Sequence, residues 1–333
     1  MSEPTDLATG PGYAAVCRYR TPDGSEHTRI AKSGPGLPHP EWQIRNFLSG
    51  STPPGTVAVE FYCELEPCAV PGGNCAALLL REWPGVKVSH SAEYGGDAAS
   101  RIRGVTALEK HVRDLAVREG RTPPLGTLRE PLPAPGAVPQ LPEPHPEDVR
   151  VSLTRAFGAD SVTRYPAPTD GDGGQQGAAR SAVCAVGLPT SFPPFFRADT
   201  APATQLCDLT RFAQINGTDL RAEVRESHQQ RGYLRLGDDF GREMCLEQAT
   251  GRVWSVELTS GWASFVNSDV LRFAECLALL ARRWPARRGL NSRQAAVDTA
   301  EFQRDLAAID EACLAGVNRW WAVIVEQMWN GLL

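Results

Sequence analysis

The chain has 333 residues, 42% of them hydrophobic, and a formal charge of −5. At about 100 to 200 residues per domain this length predicts two domains, and the negative charge argues against tight binding of duplex nucleic acid, which depends on Lys and Arg neutralising phosphates. No stretch approaches the roughly 20 apolar residues of a membrane span, and nine scattered cysteines do not resemble a small secreted disulfide scaffold. We therefore expect a cytoplasmic protein with no membrane partner.

The first predicted domain covers residues 12–121 and has an α/β pattern. It begins with two strand-like runs on either side of a Thr-Pro-Asp-Gly turn, which predicts a β-hairpin. A helix is predicted from the His-Pro-Glu at 39–41, because proline is well tolerated in the first helical turn. An alternating strand, a helix that follows an asparagine cap, another strand and a long helix come next. The predicted order is β-β-α-β-α-β-α.

The second predicted domain covers residues 148–333 and follows a proline-rich linker, residues 122–147. Nine prolines fall between positions 123 and 146, which predicts an extended, semi-stiff segment. Beyond it, short β-like runs broken by Asp-Asp and Thr-Gly turns precede two closing helices, at 268–284 and about 292–330. We expect an α+β domain with a helical tail.

The residues with the clearest chemistry lie at two predicted helix starts in the first domain. His39 and Glu41 form an H-x-E pattern and Cys68 follows a proline, as in the signature of zinc deaminases, where the glutamate is not a ligand. Such enzymes attack a cytosine or adenine ring with water and use three protein ligands, which leaves one zinc position open. Cys75 lies at the next helix start, where the helix dipole favours a thiolate. The pattern predicts a Zn²⁺ site made by His39, Cys68 and Cys75, with Glu41 as the catalytic group that transfers protons.

The cysteine spacing departs from the commonest form of this signature. Six residues separate Cys68 from Cys75, where the usual motif has two, so the glycine pair between them would have to form a turn that loops out. Cys63 is a rival third ligand, but it lies five residues before Cys68 in a predicted strand, and we prefer Cys75. A second His-Pro-Glu, at 145–147, lies in the linker with no suitable cysteine nearby, and we expect it to be inert.

The segments HPEWQ, EFYCELEPC and NCAALLLREWPGVKVSHSAEYG carry a family resemblance. Over about residues 12–120 the chain resembles the bacterial toxin-type deaminases of the cytidine deaminase-like superfamily. The resemblance implies an α/β/α sandwich that deaminates bases in nucleic acid or free nucleotides, with cytosine favoured over adenine. In that family an aromatic or apolar wall stacks on the extruded base. The substrate-binding candidates, chosen by proximity in sequence, are Trp42, Tyr62, Pro67, Trp83, His90 and Tyr94. For each of them, ordinary packing in the core is the alternative role.

Four segments of the second half also occur in a recognisable order. They are AFGADSV, GLPTSFPPFF, YLRLGDDFGREMCLEQATGRVWSVE and FVNSDVLRFAECLALL. From about residue 148 to 285 the chain resembles the fourth type of the SUKH superfamily of immunity proteins. The resemblance implies a domain that binds toxin proteins without catalytic residues of its own. Asp238, Asp239 and Trp254 are interpreted as turn and core residues.

Two functions follow from these patterns. The first is a zinc-dependent cytosine deaminase that acts on nucleic acid, with single-stranded DNA favoured, or on a nucleotide. Its SUKH-like module would restrain it in cis or bind another protein. The alternative is a catalytically inactive immunity protein that neutralises a toxin, its first domain having lost activity as the cysteine spacing drifted. Zinc content discriminates between the two.

Overall fold

The chain forms two compact units in a computed structural model that describes residues 7–165, 175–202 and 204–333. Unit 1 contains Met1–Pro131, Pro285–Glu301 and Val323–Leu333, and unit 2 contains Leu132–Trp284 and Phe302–Ala322. The boundaries expected from the sequence, 12–121, 122–147 and 148–333, remain predictions about domains. The compact units are divided differently, because two stretches from the C-terminal part of the chain pack within unit 1.

The N-terminal part of unit 1 confirms the predicted order β-β-α-β-α-β-α. Its elements are β1 (Ala14–Arg20), β2 (Glu26–Lys32), α1 (Pro40–Ser51), β3 (Val57–Leu65), α2 (Cys75–Glu82), β4 (Lys87–Ala92) and α3 (Ala98–Arg118). The sheet order is β2-β1-β3-β4, in which β1 is antiparallel to both neighbours and β3 is parallel to β4. Parallel neighbours need a crossover connection, and α2 provides it.

One face of this sheet carries the core that positions α1 and α2. Alternate residues of a strand point to the same face, and the buried ones here are apolar. Helices α1 and α2 cover them, so that both helices pack on the same side of the sheet. The buried members of this core are Ala15, Cys17, Tyr19, Ala31, Ile44, Leu48, Phe61, Cys63 and Leu79.

Unit 2 is built on an antiparallel sheet whose order is β12-β11-β10-β9-β8-β7, with β5 and β6 forming a separate pair. The strands are β5 (Val162–Thr163), β6 (Leu188–Pro189), β7 (Ser191–Phe192), β8 (Phe196–Ala198), β9 (Tyr233–Asp238), β10 (Glu243–Glu247), β11 (Val253–Val256) and β12 (Ala263–Asn267). The helices are α4 (Pro146–Phe157), α5 (Gln175–Val186), α6 (Leu209–Ile215), α7 (Ala222–Arg231) and α8 (Val270–Arg283).

The helical tail comprises α9 (Ser292–Ile309) and α10 (Trp320–Trp329), and each has residues in both units. The predicted fold class, an α/β domain followed by an α+β domain with a helical tail, is therefore confirmed. In the part of the chain that the structure describes, no helix is both long enough and apolar enough to cross a membrane.

Candidate metal centre

The three predicted metal ligands come together at the starts of α1 and α2. His39 is the N-cap residue of α1, and Cys75 is the first residue of α2. The ligand atoms of His39, Cys68 and Cys75 lie within 4.8 Å of one another, and all three residues are buried. His39 Nδ1 is 3.5 Å from Cys68 Sγ and 3.4 Å from Cys75 Sγ. Cys63, the rival ligand, is not a member of this group.

The six residues between the two cysteines form a loop that closes on itself. The N–H of Ala76 donates to the Cys68 carbonyl at 3.0 Å, and the N–H of Asn74 donates to the Val70 carbonyl at 3.0 Å. Asn74 adopts a left-handed conformation with φ of 48°, which asparagine tolerates better than most residues. This closed loop places the Cys75 sulfur beside His39 despite the long spacing.

Gly73 lies against the ligands themselves. A Cβ atom at this position would be 2.3 Å from Cys68 Sγ and 2.8 Å from His39 Cε1, so no larger residue fits without movement of the ligands. Its carbonyl accepts a hydrogen bond of 2.6 Å from the indole Nε1 of Trp42, which is itself buried. Trp42, expected to contact substrate, therefore supports the loop that carries the cysteines.

The Glu41 carboxylate is buried beside the same cluster. Its Oε2 accepts a hydrogen bond of 2.7 Å from the Tyr13 hydroxyl and one of 3.3 Å from the Cys75 thiol. Its Oε1 is buried and has no hydrogen-bond partner among the described residues. The Tyr13 ring also meets the His39 imidazole edge-on, with 5.6 Å between ring centroids. Sequence reasoning missed Tyr13, because it stands just before β1 and no local pattern links it to α1.

The electrostatic surroundings shift the pKa values of Cys68 and Cys75 in opposite directions. Burial opposes ionisation of Cys68, but hydrogen bonding from Cys75 and the adjoining His39 outweigh it and lower the pKa of Cys68 well below its usual value. Burial and the neighbouring Cys68 raise the pKa of Cys75 well above its usual value. Burial lowers the pKa of His39, yet Cys68, Glu41 and Gln327 together raise it overall. A metal needs deprotonated ligands, so binding one here would release the proton of the Cys75 thiol.

The geometry and the donor types of this cluster fit zinc. A tetrahedral ion with Zn–S near 2.3 Å and Zn–N near 2.05 Å separates a nitrogen ligand from a sulfur ligand by about 3.5–3.6 Å. The two separations from His39 Nδ1 are 3.5 and 3.4 Å. Thiolate and imidazole are also donors that zinc favours, and the buried Glu41 carboxylate adds negative charge that a cation would balance.

A cavity of about 360 Å³ lies next to the segments that carry the cysteines, and its lining includes Pro67, Trp83 and His90. Three of the predicted substrate-binding residues are thus brought to one cavity. Tyr62 lies elsewhere, with 39% of its surface exposed and its hydroxyl 2.6 Å from Ser91 Oγ. Tyr94 is buried, and its backbone N–H donates to Glu66, another residue of the cavity lining.

Gln327, from helix α10, is a further residue that sequence reasoning missed. It is fully buried, and its Nε2 donates to the Pro71 carbonyl at 2.7 Å, within the loop that joins the two cysteines. The two residues are 256 positions apart, so only the folded chain shows the contact.

Comparison with known protein families gives two matches. A family model described as SUKH-4 immunity protein matches residues 150–327, which is more than half of the chain. The chain belongs to the SUKH-4 immunity protein family. A model described as Xanthomonas-like deaminase matches residues 10–111 of this SUKH-4 family member, which confirms the predicted fusion of a deaminase domain with a SUKH immunity domain. No curated protein and no solved structure matches the chain significantly.

Two details of this SUKH-4 family member concern the site. His39, Glu41, Cys68 and Cys75 all lie inside the deaminase match. The last residues of the SUKH-4 match, Val323–Gln327, belong to unit 1 together with them.

Proposed function

We propose that this protein is a zinc-dependent hydrolase that converts cytosine to uracil. The observation that carries the proposal is the convergence of His39, Cys68 and Cys75 beside a buried Glu41, inside the segment that matches a deaminase family. An imidazole, two sulfurs and a neighbouring carboxylate that is not a ligand are the groups that hydrolytic deamination of a nucleobase requires.

His39 Nδ1 and the sulfurs of Cys68 and Cys75 would hold the zinc ion. When bound, zinc would lower the pKa of water at the site to about 7 and so supply the nucleophile at neutral pH. His39 and Cys75 stand at the starts of α1 and α2, where the positive ends of the helix dipoles favour negative charge and so oppose the burial that raises the pKa of Cys75.

Glu41 moves the protons in this proposal. Tyr13 holds Oε2, so Oε1, which has no partner among the described residues, is the atom that accepts a proton from the attacking water. One proton of that water passes to ring nitrogen N3 and the other to the amino group, while the oxygen bonds to C4. The C–N bond breaks, ammonia leaves, and Glu41 returns to its starting state.

The cavity lined by Pro67, Trp83 and His90 is the proposed place for the substrate. Its volume of about 360 Å³ falls within the range of small-molecule pockets, about 300–1,000 Å³. Trp42 and Tyr94 are buried next to the ligand-bearing segments, and we propose that they shape the inner wall of the site. A substrate contact of the exposed Tyr62 remains a prediction.

Single-stranded DNA is favoured over duplex DNA as the substrate, and a nucleotide is the other candidate. A formal charge of −5 gives little general attraction to duplex phosphates. A duplex base must also be unpaired and flipped before deamination, at a cost of a few kcal/mol, whereas a single strand presents its bases directly.

Replacement of Glu41 tests the proposal directly. Purified wild-type protein should contain one zinc per chain and convert cytosine to uracil, read by sequencing or chromatography, with arms for single-stranded DNA, duplex DNA, RNA and nucleotides. Glu41→Ala should lower the rate by at least about 100-fold, because it removes the proton-transfer group. Glu147→Ala is the matched control, since it changes the second His-Pro-Glu of the chain and should leave the rate unchanged. Zinc-free, inactive wild-type protein would exclude the proposal.

The alternative is a catalytically inactive immunity protein that binds and neutralises a toxin. The SUKH-4 match over more than half of the chain favours a protein-binding role. In this case the metal cluster would not be needed, and His39→Ala and Cys75→Ala variants would keep full stability and full binding of the toxin. Loss of a bound zinc should instead destabilise the fold, because metal binding and folding are coupled.

The proposed site of action is the cytoplasm. The proposed metal ligands include the Cys68 and Cys75 sulfurs, and a reducing compartment keeps such thiols available to a metal.

A further inference from the structure

The deaminase match ends at residue 111, but a side chain from far beyond it reaches the candidate metal centre. Gln327 is 0% exposed, and its Nε2 donates to the carbonyls of Pro71, at 2.7 Å, and Val323, at 3.1 Å. These two hydrogen bonds use both N–H donors of the carboxamide, and they therefore fix the orientation of its nitrogen and oxygen. The oxygen, Oε1, is left to face a different neighbour.

Unit 1 contains one possible hydrogen-bond donor and one acceptor that are both buried without a partner. His39 Nε2 and Gln327 Oε1 are each buried, and neither has a hydrogen-bond partner among the described residues. Both side chains lie against the loop between the two cysteines, because Gln327 donates to the Pro71 carbonyl and the His39 ring lies beside Gly73. The metal-facing atom of His39 is Nδ1, because this nitrogen lies next to both sulfurs.

A histidine that binds a metal through one ring nitrogen usually donates the N–H of the other to a fixed acceptor, which sets the tautomer and the ring orientation. Resting on the proposed function, we propose that Gln327 is a positioning residue of the metal centre, whose carboxamide oxygen accepts the Nε2–H of His39. The helix that closes the SUKH-4 match thereby completes the deaminase site.

The segment that carries Gln327 is anchored on both sides. Glu326 pairs with the fully buried Arg101, at 2.8 Å and 3.0 Å. Beyond Gln327, the N–H of Gly10 donates to the Trp329 carbonyl at 2.8 Å, and the Ser33 hydroxyl donates to the Gly331 carbonyl at 2.9 Å. These contacts give Gln327 a fixed position, as an acceptor that orients a metal-binding histidine requires.

Zinc affinity of the full-length chain, measured by competition with a chromogenic chelator, tests the proposal. Gln327→Met keeps the side-chain shape but removes the acceptor, and it should weaken zinc binding by about 10- to 100-fold. Gln327→Glu keeps an acceptor for His39 but loses the donor to Pro71, and its affinity should lie nearer to wild type than that of Gln327→Met. Gln303→Met, at an equally buried glutamine of unit 2, is the matched control and should leave the affinity unchanged.

A second readout separates orientation of the ligand from general stability. In zinc-loaded, ¹⁵N-labelled protein, the Nε2–H of His39 should give a slowly exchanging signal, and His39→Ala identifies it. In Gln327→Met the Nε2–H of His39 should exchange rapidly. In Gln303→Met it should still exchange slowly, even if the melting temperature falls as far as that of Gln327→Met.

The outcomes distinguish this proposal from the proposed function. If wild type binds zinc and deaminates cytosine while Gln327→Met binds zinc equally well, the positioning role is wrong and the enzyme remains. Equal weakening by Gln327→Met and Gln327→Glu would assign Gln327 to the Pro71 loop only, which also contradicts the proposal. Wild type without zinc overturns both.

Discussion

Tyr13 holds one oxygen of the carboxylate that we assign to proton transfer. The hydrogen bond from its hydroxyl to Glu41 Oε2 is 2.7 Å long and buried. Burial and the adjoining Glu41 raise the pKa of Tyr13 well above its usual value, so the hydroxyl keeps its proton and stays a donor. With Oε2 fixed, Glu41 presents Oε1 to a reacting water in one orientation.

Tyr13→Phe removes this donor and little else. A hydrogen bond to a charged group contributes about 1.5–3 kcal/mol, which corresponds to a fall in kcat of about 10- to 100-fold if it is needed to orient Glu41. Zinc content should stay at the wild-type level. Tyr19→Phe, on strand β1, is the control and should keep its activity. Unchanged kcat in Tyr13→Phe would show that Glu41 does not depend on this contact.

Gly73→Ala should disturb the ligands by steric overlap. The added Cβ would approach Cys68 Sγ to 2.3 Å, and overpacking of this kind destabilises proteins by about 1–3 kcal/mol. We expect a lower zinc content and a lower melting temperature. Gly34→Ala is the control, because a Cβ there meets nothing within 4 Å. A Gly73→Ala protein that binds zinc normally would contradict the close packing of this loop.

Sequence reasoning could find the residues of the cluster but not the residues that contact and position them. His39, Glu41, Cys68 and Cys75 were predicted because a motif ties residue type to spacing, and the structure brings these four together. Tyr13 and Gln327 are positioned by long-range contacts that leave no pattern in the sequence. The second His-Pro-Glu has an ordinary local role, since the His145 ring accepts a hydrogen bond from the N–H of Glu147 at the start of α4.

The elements of the deaminase domain were predictable because their signals are local. The alternation along β1 and β3, the turn between β1 and β2 and the starts of α1 and α2 are each encoded within a few residues. In unit 2, strands β5 to β8 are only two or three residues long, which is too short for a period to show. Strand β9 is buried along its whole length and also shows no alternation.

Strand β9 carries a buried cluster of charges in unit 2. The Arg235 guanidinium contacts three carboxylates, from Asp199 at 2.6 Å, Asp238 at 3.3 Å and Glu243 at 2.5 Å. Arg197 also pairs with Asp238, at 2.9 Å, so two positive charges face three carboxylates. Burial is the main cause that raises the pKa of Glu243 to about 7, although Arg235 opposes it.

This cluster predicts how the stability of unit 2 depends on pH. The folded-state pKa of Glu243, about 7, lies above the unfolded value near 4.5, so its contribution is fully present below pH 4.5 and is lost as pH rises to about 7. The free energy of unfolding should fall by up to about 3 kcal/mol across this window. Glu243→Gln should flatten the dependence in chemical denaturation at pH 5 to 8, whereas Glu223→Gln, at an exposed position, should keep it. Parallel curves for wild type and Glu243→Gln would contradict the prediction.

At the scale of the whole molecule, unit 1 is assembled from three stretches of chain, Met1–Pro131, Pro285–Glu301 and Val323–Leu333. The sequence predicted a division at its proline-rich segment, because composition shows where a chain lacks a core. The amino-acid sequence has no pattern that shows which distant segments pack together. The Arg101–Glu326 pair is such a contact, with 0% and 12% of the two side chains exposed.

Glu326→Gln tests how strongly this contact holds unit 1 together. Removing one partner of a buried ion pair leaves the other charge unbalanced and costs about 3–5 kcal/mol, so the midpoint of chemical denaturation should fall sharply. Asp114→Asn breaks the exposed Lys110–Asp114 pair and should cost less than about 1 kcal/mol. Equal effects of the two changes would show that the Arg101 pair is not a structural anchor.

The three-stretch construction of unit 1 has a consequence for how the protein is made. A ribosome releases the segment up to Pro131 long before it reaches Val323, and at about 5–20 residues per second the interval lasts on the order of 10 to 40 seconds. During this time the nascent N-terminal region lacks the partners of Arg101, Gly10 and Ser33. The N-terminal segment of unit 1 is therefore completed by a segment that is translated much later.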